Sequence, residues 1–411
     1  CNGFCGTFFG NSTSFGEREI VPIFCEPIQC IIVRGLLVRG VFAKYNNYGD
    51  RKSKRGERMK KFAVFSGFLG SGKTTAMMAL THLLSAKYGK AAMITNDLGG
   101  QGLADDRFAR LSDCNAYELT GECICYQTEN LVSRLKHLFL TGECDLVISD
   151  IPGFGVGALK HVYHTLREQY PEVCELAPFT VLVEPCSVEK LRRGRDCDYA
   201  YILKAQLKEA DLIVLNKCDL LRPAEQRLAQ DFLRQCNPSA EVICISALTG
   251  QGLEQLAQRL TNGSASLRNP DIGYGGVEFT RVMDKVSEFN MQYYATVCCN
   301  DFDGNSYLMA IAEDVQARIS GTDGSIPHLK LLAWNPEGEY GKVDLLGAGR
   351  PVEINHRFVN PCKELAVVLN ASAFFPPEQM DDMLSEAIET VSNTYQLSLS
   401  VYKKECFGLG G

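Results

Sequence analysis

Residues 66–75 read Ser66-Gly67-Phe68-Leu69-Gly70-Ser71-Gly72-Lys73-Thr74-Thr75, and positions 67–74 match the pattern G-x-x-x-x-G-K-[ST] throughout. The apolar run Phe62–Phe65 precedes this stretch, and a helical pattern follows from Thr74. In a strand–loop–helix unit of this kind, backbone N–H groups and the positive end of the helix dipole face a phosphate. The predicted phosphate-binding residues are Gly67, Gly70, Ser71, Gly72, Lys73, Thr74 and Thr75.

Two of these side chains have predicted chemical roles. We expect Lys73 to bridge the β- and γ-phosphates of a bound nucleotide and Thr74 to offer its hydroxyl to Mg²⁺. A glycine-rich turn without a ligand is the alternative, and the strand before it together with the helix after it argues against that alternative.

Length and composition restrict the class of protein. The chain has 411 residues, 45% of them hydrophobic and 22% charged, which is typical of a globular protein with more than one domain. No run of about 18 uncharged apolar residues is present, so we expect no membrane span. A net charge of −7 argues against a general nucleic-acid binder. The 18 cysteines lack the spacing of a secreted disulfide scaffold, which favours buried thiols in a reducing cytoplasm.

The first 58 residues show no steady helical or strand period. Arg55-Gly56-Glu57-Arg58 precedes Met59, and a purine-rich ribosome-binding sequence would be translated into residues of this kind. We therefore favour the hypothesis that Met59 is the true start and that residues 1–58 are mistranslated upstream sequence. A basic N-terminal arm is the alternative.

From Met59 onward, apolar strand-like runs alternate with helical patterns. Such alternation predicts an α/β fold of the P-loop NTPase type, with a mostly parallel sheet flanked by helices. A nucleotide should bind at the carboxyl ends of its strands. The predicted strands are Phe62–Phe65, Ala91–Thr95, Leu146–Ser149, Phe179–Val183, Leu212–Leu215 and Val242–Ile245. The predicted helices are Thr75–Tyr88, Tyr126–Leu140, Tyr199–Ala210 and Ala224–Cys236.

Two strand ends carry carboxylates suited to a nucleotide-bound Mg²⁺. Asp150 follows the run Leu146–Ser149, and Gly153 comes three residues later, where its N–H could meet a γ-phosphate. Asn96-Asp97-Leu98-Gly99 follows the run Ala91–Thr95 and offers Asp97 as a second carboxylate to the same ion. We therefore predict Thr74, Asp97 and Asp150 as the Mg²⁺ set, and Lys73, Asp150 and Gly153 as the catalytic set.

A third strand end predicts the base. Asn216-Lys217-Cys218-Asp219 follows Leu212–Leu215, and in an N-K-x-D pattern the carboxylate accepts hydrogen bonds from N1–H and the 2-amino group of guanine. Adenine would leave this carboxylate unpaired, so the pattern favours GTP over ATP. Ser246 and Ala247, after Val242–Ile245, could close over the base with backbone N–H groups.

These motifs together resemble those of the CobW-type GTPases, relatives of the hydrogenase and urease nickel chaperones. The residues that carry the resemblance are Gly67–Thr75, Asn96-Asp97-x-Gly99, Glu118-Leu119-x-x-x-Cys123-Ile124-Cys125 and Ala210–Leu220, within roughly Lys61 to Leu260. The resemblance implies a GTPase that delivers a divalent metal to a client protein or to a corrinoid (cobalamin) pathway. Relatives commonly dimerise, which makes a homodimer an expectation.

The chain departs from the family's pattern at its metal motif. The family has G-C-x-C-C where this sequence has Glu122-Cys123-Ile124-Cys125-Tyr126, so one glycine and one thiol are missing. Cys123 and Cys125 are the predicted ligands of a transferable Zn²⁺, Co²⁺ or Ni²⁺. Because two thiolates do not complete a tetrahedral site, a further ligand has to come from elsewhere. The candidates are Glu122, Cys114 and the helical pair His161 and His164, while Cys298-Cys299 in a predicted strand would point to opposite faces.

The sequence also predicts a second domain. Residues 263–276 are polar and glycine-rich and form the predicted linker between a GTP-binding domain at 59–262 and an α+β domain at 277–411. We expect strands near Tyr293–Cys299, Tyr307–Ile311, Leu329–Trp334 and Glu364–Asn370. A helix with an apolar stripe should follow Pro376-Pro377. By its position, this domain is expected to bind a client or partner.

Two functional hypotheses follow. The first is a cytoplasmic, Mg²⁺-dependent GTPase that couples hydrolysis of GTP to GDP and phosphate with metal delivery. The second is a GTP-dependent activation or assembly factor for a corrinoid or other metalloenzyme, which transfers no metal itself. The altered cysteine motif favours the second, and the family resemblance favours the first.

Overall fold

The computed structural model describes residues 60–98, 104–112, 114–194, 198–297, 300–320, 325–347 and 349–410. Four predictions lie outside these residues: the start at Met59 with the extension 1–58, the role of Gly99, the side chain of Asp97, and the pair Cys298-Cys299. In the described part of the chain, no helix is both long and apolar enough to cross a membrane.

The first sheet is parallel, as the alternating pattern predicts. The described residues contribute eight strands, seven of them in the order β3-β2-β4-β1-β6-β7-β8, with β5 paired beside β1. The strands are β1 (Lys61–Ser66), β2 (Ala91–Leu98), β3 (Ala116–Gly121), β4 (Leu146–Asp150), β5 (Glu175–Leu176), β6 (Thr180–Val183), β7 (Leu212–Leu215) and β8 (Glu241–Cys244). Their carboxyl ends meet at one edge, where the motif residues lie.

Helices cover both faces of this sheet. Alternate residues of β1 enter different cores, Phe62 and Val64 on one face and Ala63 and Phe65 on the other, and all four are fully buried. The helices are α1 (Lys73–Lys87), α2 (Ala104–Leu111), α3 (Thr128–Leu140), α4 (Thr165–Gln169), α5 (Pro185–Arg192), α6 (Asp198–Glu209), α7 (Pro223–Cys236), α8 (Leu253–Asn262) and α9 (Val277–Met283). A π-helical turn, Leu159–His164, leads into α4. The P-loop NTPase-like architecture is thus confirmed.

The second sheet is antiparallel and belongs to the C-terminal part of the chain. Its six described strands run in the order β12-β11-β10-β13-β9-β14, and helices α10 (Gly304–Ile319) and α11 (Pro377–Thr394) pack on one face. The strands are β9 (Ser287–Thr296), β10 (Ser325–Trp334), β11 (Tyr340–Leu345), β12 (Glu353–His356), β13 (Glu364–Phe374) and β14 (Ser398–Gly408). This part is the predicted α+β domain.

One predicted element of this domain is wrong. Tyr307–Ile311 was expected as a strand, and it lies inside α10. Tyr307, Leu308, Ile311 and Ala312 recur three to four positions apart and are fully buried on one face, which is a helical period. The Asp303 carboxylate accepts a hydrogen bond from the Asn305 N–H at 3.0 Å and caps the helix at its start.

The segment between the sheets is tied to the first one. Lys208 donates to the Asp271 carbonyl at 3.2 Å, and the Ala265 N–H donates to the Leu176 carbonyl at 2.9 Å. Val282 and Val286, which follow this segment, are buried in the core of the first sheet. The predicted boundaries at 262 and 276 stay predictions.

Candidate functional site

The stretch Ser66–Thr75 forms a tight loop between β1 and α1. Gly67 has φ 136°, and a Cβ there would lie 2.2 Å from the Leu182 carbonyl oxygen on β6, so no other residue fits without moving the strand. The Ser71 N–H donates to the Phe68 carbonyl at 3.2 Å, and Lys73 Nζ donates to the Gly67 carbonyl at 2.6 Å. The predicted phosphate-binding residues are therefore brought together in one loop at the carboxyl edge of the sheet.

Asp150 lies beside this loop at the end of β4. Its carboxylate accepts a hydrogen bond from the Asn96 N–H at 2.9 Å and is 4% exposed. Burial raises the pKa of Asp150 to about 7, although the nearby charge of Lys73 lowers it. Gly153 packs against the loop, since a Cβ at this position would lie 2.4 Å from the Leu69 side chain. The predicted catalytic set of Lys73, Asp150 and Gly153 thus lines a common cavity.

A carboxylate that the sequence did not single out contacts Thr74. The Thr74 hydroxyl donates to Asp105 Oδ2 at 2.9 Å, and Lys330 Nζ, from β10 of the second sheet, lies 2.5 Å from the same oxygen. Burial alone would raise the pKa of Asp105, but the charges of Lys330 and Lys342 hold it below its ordinary value. Asp105 stands at the start of a short helix and belongs to no motif, so local sequence gave no reason to select it.

The residues predicted to read the base lie at the other end of the candidate site. Asn216 Nδ2 donates to the Ser71 carbonyl at 2.9 Å, while its Oδ1 accepts from the Ala247 N–H at 3.0 Å. Asn216 therefore connects the phosphate-binding loop to the predicted Ser246-Ala247 cap. Asp219 is exposed in a 3₁₀ turn (Cys218–Leu220), with its carboxylate accessible to a base.

Lys217 has φ 57° and pairs with Glu184 at 3.1 Å. Glu184, at the end of β6, is buried and also accepts two hydrogen bonds from Arg350 of the C-terminal part, at 3.0 and 2.6 Å. Burial alone would raise the pKa of Glu184, and these cations hold it below its ordinary value. Neither Glu184 nor Arg350 was recognised from the sequence.

Cys123 and Cys125 lie in the turn after β3, next to Asn96. The Asn96 side chain donates to the carbonyls of Leu119 and Glu122 at 3.1 and 3.0 Å and accepts from the Ile124 N–H at 2.8 Å. The same residue's backbone N–H contacts Asp150. One asparagine thus joins the cysteine turn to the strand end that carries Asp150.

The two thiols interact with each other. A hydrogen bond from Cys125 lowers the pKa of Cys123, although burial opposes this, and the same bond together with burial raises the pKa of Cys125 well above its ordinary value. The Cys125 thiol therefore stabilises a thiolate at Cys123, and the thiolate is the form of cysteine that binds a soft metal.

The predicted additional ligands fall in different places. Cys114 lies in the core on the opposite face of the sheet from Cys123, against Met93, and burial raises its pKa to about 12. His164 Nε2 contacts the Arg268 carbonyl at 3.1 Å. His161 instead packs on the Tyr274 ring, with centroids 4.8 Å apart, and its Nε2 is buried without a hydrogen-bond partner.

The charges of Cys125 and Cys123 contribute to a raised pKa of Tyr274, after burial and the Tyr126 hydrogen bond. The Tyr274 hydroxyl hydrogen-bonds the hydroxyl of Tyr126, the residue after Cys125, at 2.5 Å, so His161 is connected to the cysteine turn through these two tyrosines. Glu122 is exposed, and within the described ranges no three His, Cys, Asp or Glu side chains are grouped closely enough to hold a metal ion. The eleven described cysteines carry free thiols.

One comparison with known proteins finds a family match over the strands of the first sheet. Residues 61–244 match the family described as CobW/HypB/UreG, nucleotide-binding domain. This confirms the resemblance drawn from the motifs and agrees with the prediction of a P-loop GTPase domain.

Three curated relatives match slightly less than half of this chain. The zinc chaperone YeiR of Escherichia coli is 27% identical over 191 residues, 45% of this chain and 55% of the relative. The zinc chaperone CobW of Pseudomonas aeruginosa is 26% identical over 220 residues, 45% of this chain and 57% of the relative. The zinc-regulated GTPase metalloprotein activator 1 of Dictyostelium discoideum is 26% identical over 225 residues, 46% of each. The chain spans about half the length of the curated relatives it matches.

Among solved structures, Zn(II)-bound YjiA GTPase from E. coli aligns with a TM-score of 0.35 at 15% identity, over 80% of this chain and 99% of that one. HypB from Helicobacter pylori in complex with nickel aligns with a TM-score of 0.37 at 17% identity, over 56% of this chain and 96% of that one.

Proposed function

We propose that this chain is a Mg²⁺-dependent GTPase that couples hydrolysis of GTP to GDP and phosphate with the delivery of a divalent metal, Zn²⁺ first among Zn²⁺, Co²⁺ and Ni²⁺, to a client metalloprotein or a corrinoid-pathway enzyme. One observation carries the coupling: Asn96 hydrogen-bonds Asp150 through its backbone and the cysteine turn through its side chain. A change at the γ-phosphate end of the nucleotide site therefore has a direct physical route to Cys123 and Cys125. The match at residues 61–244 and the zinc chaperones among the relatives support this function.

The nucleotide would be held by the residues that the loop brings together. Lys73 would exchange the Gly67 carbonyl for β- and γ-phosphate oxygens, and the backbone N–H groups of the loop would donate to the phosphates. Asp219 would pair with guanine, while Asn216 keeps the two loops in register. Catalysis in this scheme rests on positioning and charge neutralisation by the protein's own groups.

The residues present fit Mg²⁺. Asp150 is a buried carboxylate that lines one cavity with Lys73 and Gly153, and oxygen ligands of this kind are the ones that Mg²⁺ prefers. Thr74 and Asp150 would hold the ion, with Asp97 as the predicted further carboxylate. When bound, Mg²⁺ would neutralise charge developing on the β- and γ-phosphates.

For the transferred metal, Cys123 and Cys125 are the proposed ligands. The lowered pKa of Cys123 supports thiolate formation there. His161 is the proposed third ligand, because its Nε2 is buried without a partner and its ring packs on Tyr274, whose hydroxyl hydrogen-bonds Tyr126 next to Cys125. The side chains would have to approach one another on metal binding.

The second candidate is a GTP-dependent activation factor that transfers no metal. It is favoured by the absence of a preformed group of three ligands among the residues that the structure describes. A measurement of Zn²⁺ affinity in two nucleotide states separates the two functions.

Zn²⁺ should bind about tenfold more tightly to the full chain with a non-hydrolysable GTP analogue than with GDP. Exchange of both Cys123 and Cys125 for Ser should remove this difference and leave GTP-analogue binding intact. The matched control is the double substitution Cys236→Ser and Cys406→Ser, which removes two partly exposed thiols elsewhere. Equal Zn²⁺ affinity in both nucleotide states, or an unchanged site in the Cys123/Cys125 variant, would favour the activation factor.

A further inference from the structure

One face of the second sheet is polar and is directed at the phosphate end of the nucleotide site. Because side chains alternate along strands, the buried apolar residues Phe289, Leu329 and Leu369 enter the core under α10 and α11. Their neighbours on the other face line a cavity of about 50 Å³ together with Lys73, Asp105 and Asp150 of the first sheet. These neighbours are Glu288, Asn290, His328, Lys330, Asn370 and Ser372.

This polar face is attached to the nucleotide-binding side at several points. Asn290 Nδ2 donates to the Leu98 carbonyl at the end of β2, at 2.9 Å, and Asn370 Oδ1 accepts from the Ala104 N–H at the start of α2, at 2.8 Å. Asn370 Nδ2 also donates to Asn290 Oδ1 at 2.6 Å. Two linked asparagines thus fix the strand end and the helix start that flank residues 99–103.

Lys330 is the cation on this face that reaches the phosphate end. Its Nζ and the Thr74 hydroxyl contact the same oxygen of Asp105. Lys330 therefore shares a carboxylate partner with Thr74, the residue predicted to offer its hydroxyl to Mg²⁺. Its side chain is only 16% exposed. A long cationic side chain is seldom buried to this extent without charged partners.

Charge balance in the cavity explains what such a cation could do. Asp105, Asp150 and Glu288 bring three carboxyl groups to the cavity. A γ-phosphate entering the same space adds further negative charge. Lys73 from the loop and Lys330 from the second sheet are cations that line this cavity and can meet that charge.

We propose that Lys330 is a γ-phosphate-contacting residue, supplied by the C-terminal sheet to a nucleotide held by the first sheet. In the absence of nucleotide it neutralises Asp105; with a triphosphate it donates to the γ-phosphate. GDP lacks that partner, so the contact between the sheets depends on which nucleotide is bound. The inference rests on the proposed binding of GTP at this site.

The experiment compares Kd for GTPγS and for GDP, with excess Mg²⁺, on the full chain. Lys330→Met should raise the Kd for GTPγS by at least about tenfold, which is the effect of losing one charge-assisted hydrogen bond. The Kd for GDP should change by less than about twofold. The matched control is Lys404→Met on β14, which removes a lysine that pairs with Asp381, outside the cavity; both affinities should be unchanged.

A second variant separates contact with the phosphate from neutralisation of Asp105. Lys330→Met combined with Asp105→Asn restores the charge balance and protects folding. If Lys330 contacts the γ-phosphate, GTPγS binding stays weak in this double variant. Recovery of the wild-type ratio of GTPγS to GDP affinity would overturn the inference, as would an unchanged ratio in Lys330→Met. Failure of the wild-type chain to bind either nucleotide would instead overturn the proposed function.

Discussion

At the scale of single residues, Glu209 and Gln206 show how α6 holds the loop that follows Asp150. The Glu209 carboxylate accepts hydrogen bonds from the N–H groups of Gly157 and Leu159, at 2.9 and 3.0 Å. Gln206 Nε2 donates to the carbonyls of Gly153 and Gly155, at 3.0 and 2.9 Å. This loop carries Gly153, so α6 fixes one wall of the cavity at the phosphate end.

Glu209 also gives a pH prediction. Burial raises the pKa of Glu209 to about 7, although its two backbone hydrogen bonds lower it, while an unfolded glutamate titrates near 4.5. The folded state therefore binds the proton more tightly, and this contribution to stability is present below about pH 4.5 and is lost as pH rises through about 7. Glu209→Gln should flatten the fall in the free energy of unfolding across this range, by about 1–3 kcal/mol.

Urea unfolding of both proteins at several pH values measures this difference. Glu225→Gln is the control: Glu225 is half-buried, and the hydrogen bonds from Arg222 lower its pKa, so it should leave the slope above pH 4.5 unchanged. An identical slope in wild type and Glu209→Gln would show that Glu209 titrates as an ordinary carboxylate.

Asp219 gives a prediction on base preference. Asn at this position can donate to the 2-oxo group of xanthine, whereas a carboxylate accepts from the 2-amino group of guanine. Asp219→Asn should weaken the affinity for GTP by at least about tenfold and strengthen the affinity for xanthosine triphosphate. Competition against a fluorescent nucleotide measures both affinities. Asp231→Asn, on the exposed side of α7, should change neither affinity. Unchanged preference in Asp219→Asn would place base recognition elsewhere.

The role of a single residue could be predicted from the sequence only where the residue belongs to a motif. Lys73 and Asn216 follow from short patterns after apolar strands, and the structure places them around one edge. Asp105, Glu184 and Glu209 act through tertiary contacts, so an isolated carboxylate in the sequence did not indicate their role. The contacts of His161 and His164 could not be predicted from the sequence, because the His161 ring packs on Tyr274 and His164 Nε2 contacts the Arg268 carbonyl, both far along the chain.

At the scale of elements, strands buried on both faces were the easiest to predict. β7 occupies its predicted residues, β1 is one residue longer than predicted at each end, and β4 is one residue longer at its carboxyl end. β3 was not predicted, because Ala116–Gly121 contains Glu118 and is only partly buried at one side of the sheet. The error at Tyr307–Ile311 has another cause. Five consecutive apolar residues fit both a strand and a helix, and only the helical spacing of apolar residues continued to Ile319 favours the helix.

The apolar stripe of α11 gives a prediction on stability. Leu384 is fully buried between α11 and the second sheet. Leu384→Ala removes a buried side chain and leaves a cavity, so it should lower the free energy of unfolding by about 2–5 kcal/mol. Asp382 lies two residues earlier in the same helix and is exposed. Asp382→Ala should therefore change the free energy of unfolding by less than about 0.5 kcal/mol. Chemical denaturation followed by circular dichroism measures both, and equal small effects would contradict the packing of this helix.

At the scale of the whole molecule, the two sheets meet through polar and charged contacts as well as packing. Arg350 pairs with Glu184, Lys330 pairs with Asp105, and Leu346 lies against Gly70 of the phosphate-binding loop. Phe374 adds an edge contact to Phe154, with centroids 5.3 Å apart. The partners in the two ion pairs are 166 and 225 positions apart, so no local pattern in the sequence could have indicated them.

Arg350 gives a prediction for this contact. Its removal leaves the buried Glu184 carboxylate with the Lys217 cation and the Ser187 hydroxyl, and an undercompensated buried charge is destabilising. Arg350→Met should lower the free energy of unfolding by about 1–3 kcal/mol, and Glu184→Gln in the same chain should recover part of the loss. Arg357→Met, at an exposed position of the same part of the chain, is the control. A loss no larger than that of the control would show that the pair contributes little.

The side chain of Asn216 joins the Ser71 carbonyl to the Ala247 N–H, and this arrangement has a consequence for binding kinetics and entropy. The loop predicted to face phosphate and the loop predicted to face the base are fixed to each other by hydrogen bonds of the protein itself. Little conformational freedom of these loops is left to be lost on binding, so the site is preorganised for a ligand whose base and phosphates are a set distance apart. A guanosine and a pyrophosphate supplied separately should therefore bind far more weakly than their linked form, because only the linked molecule matches both loops at once.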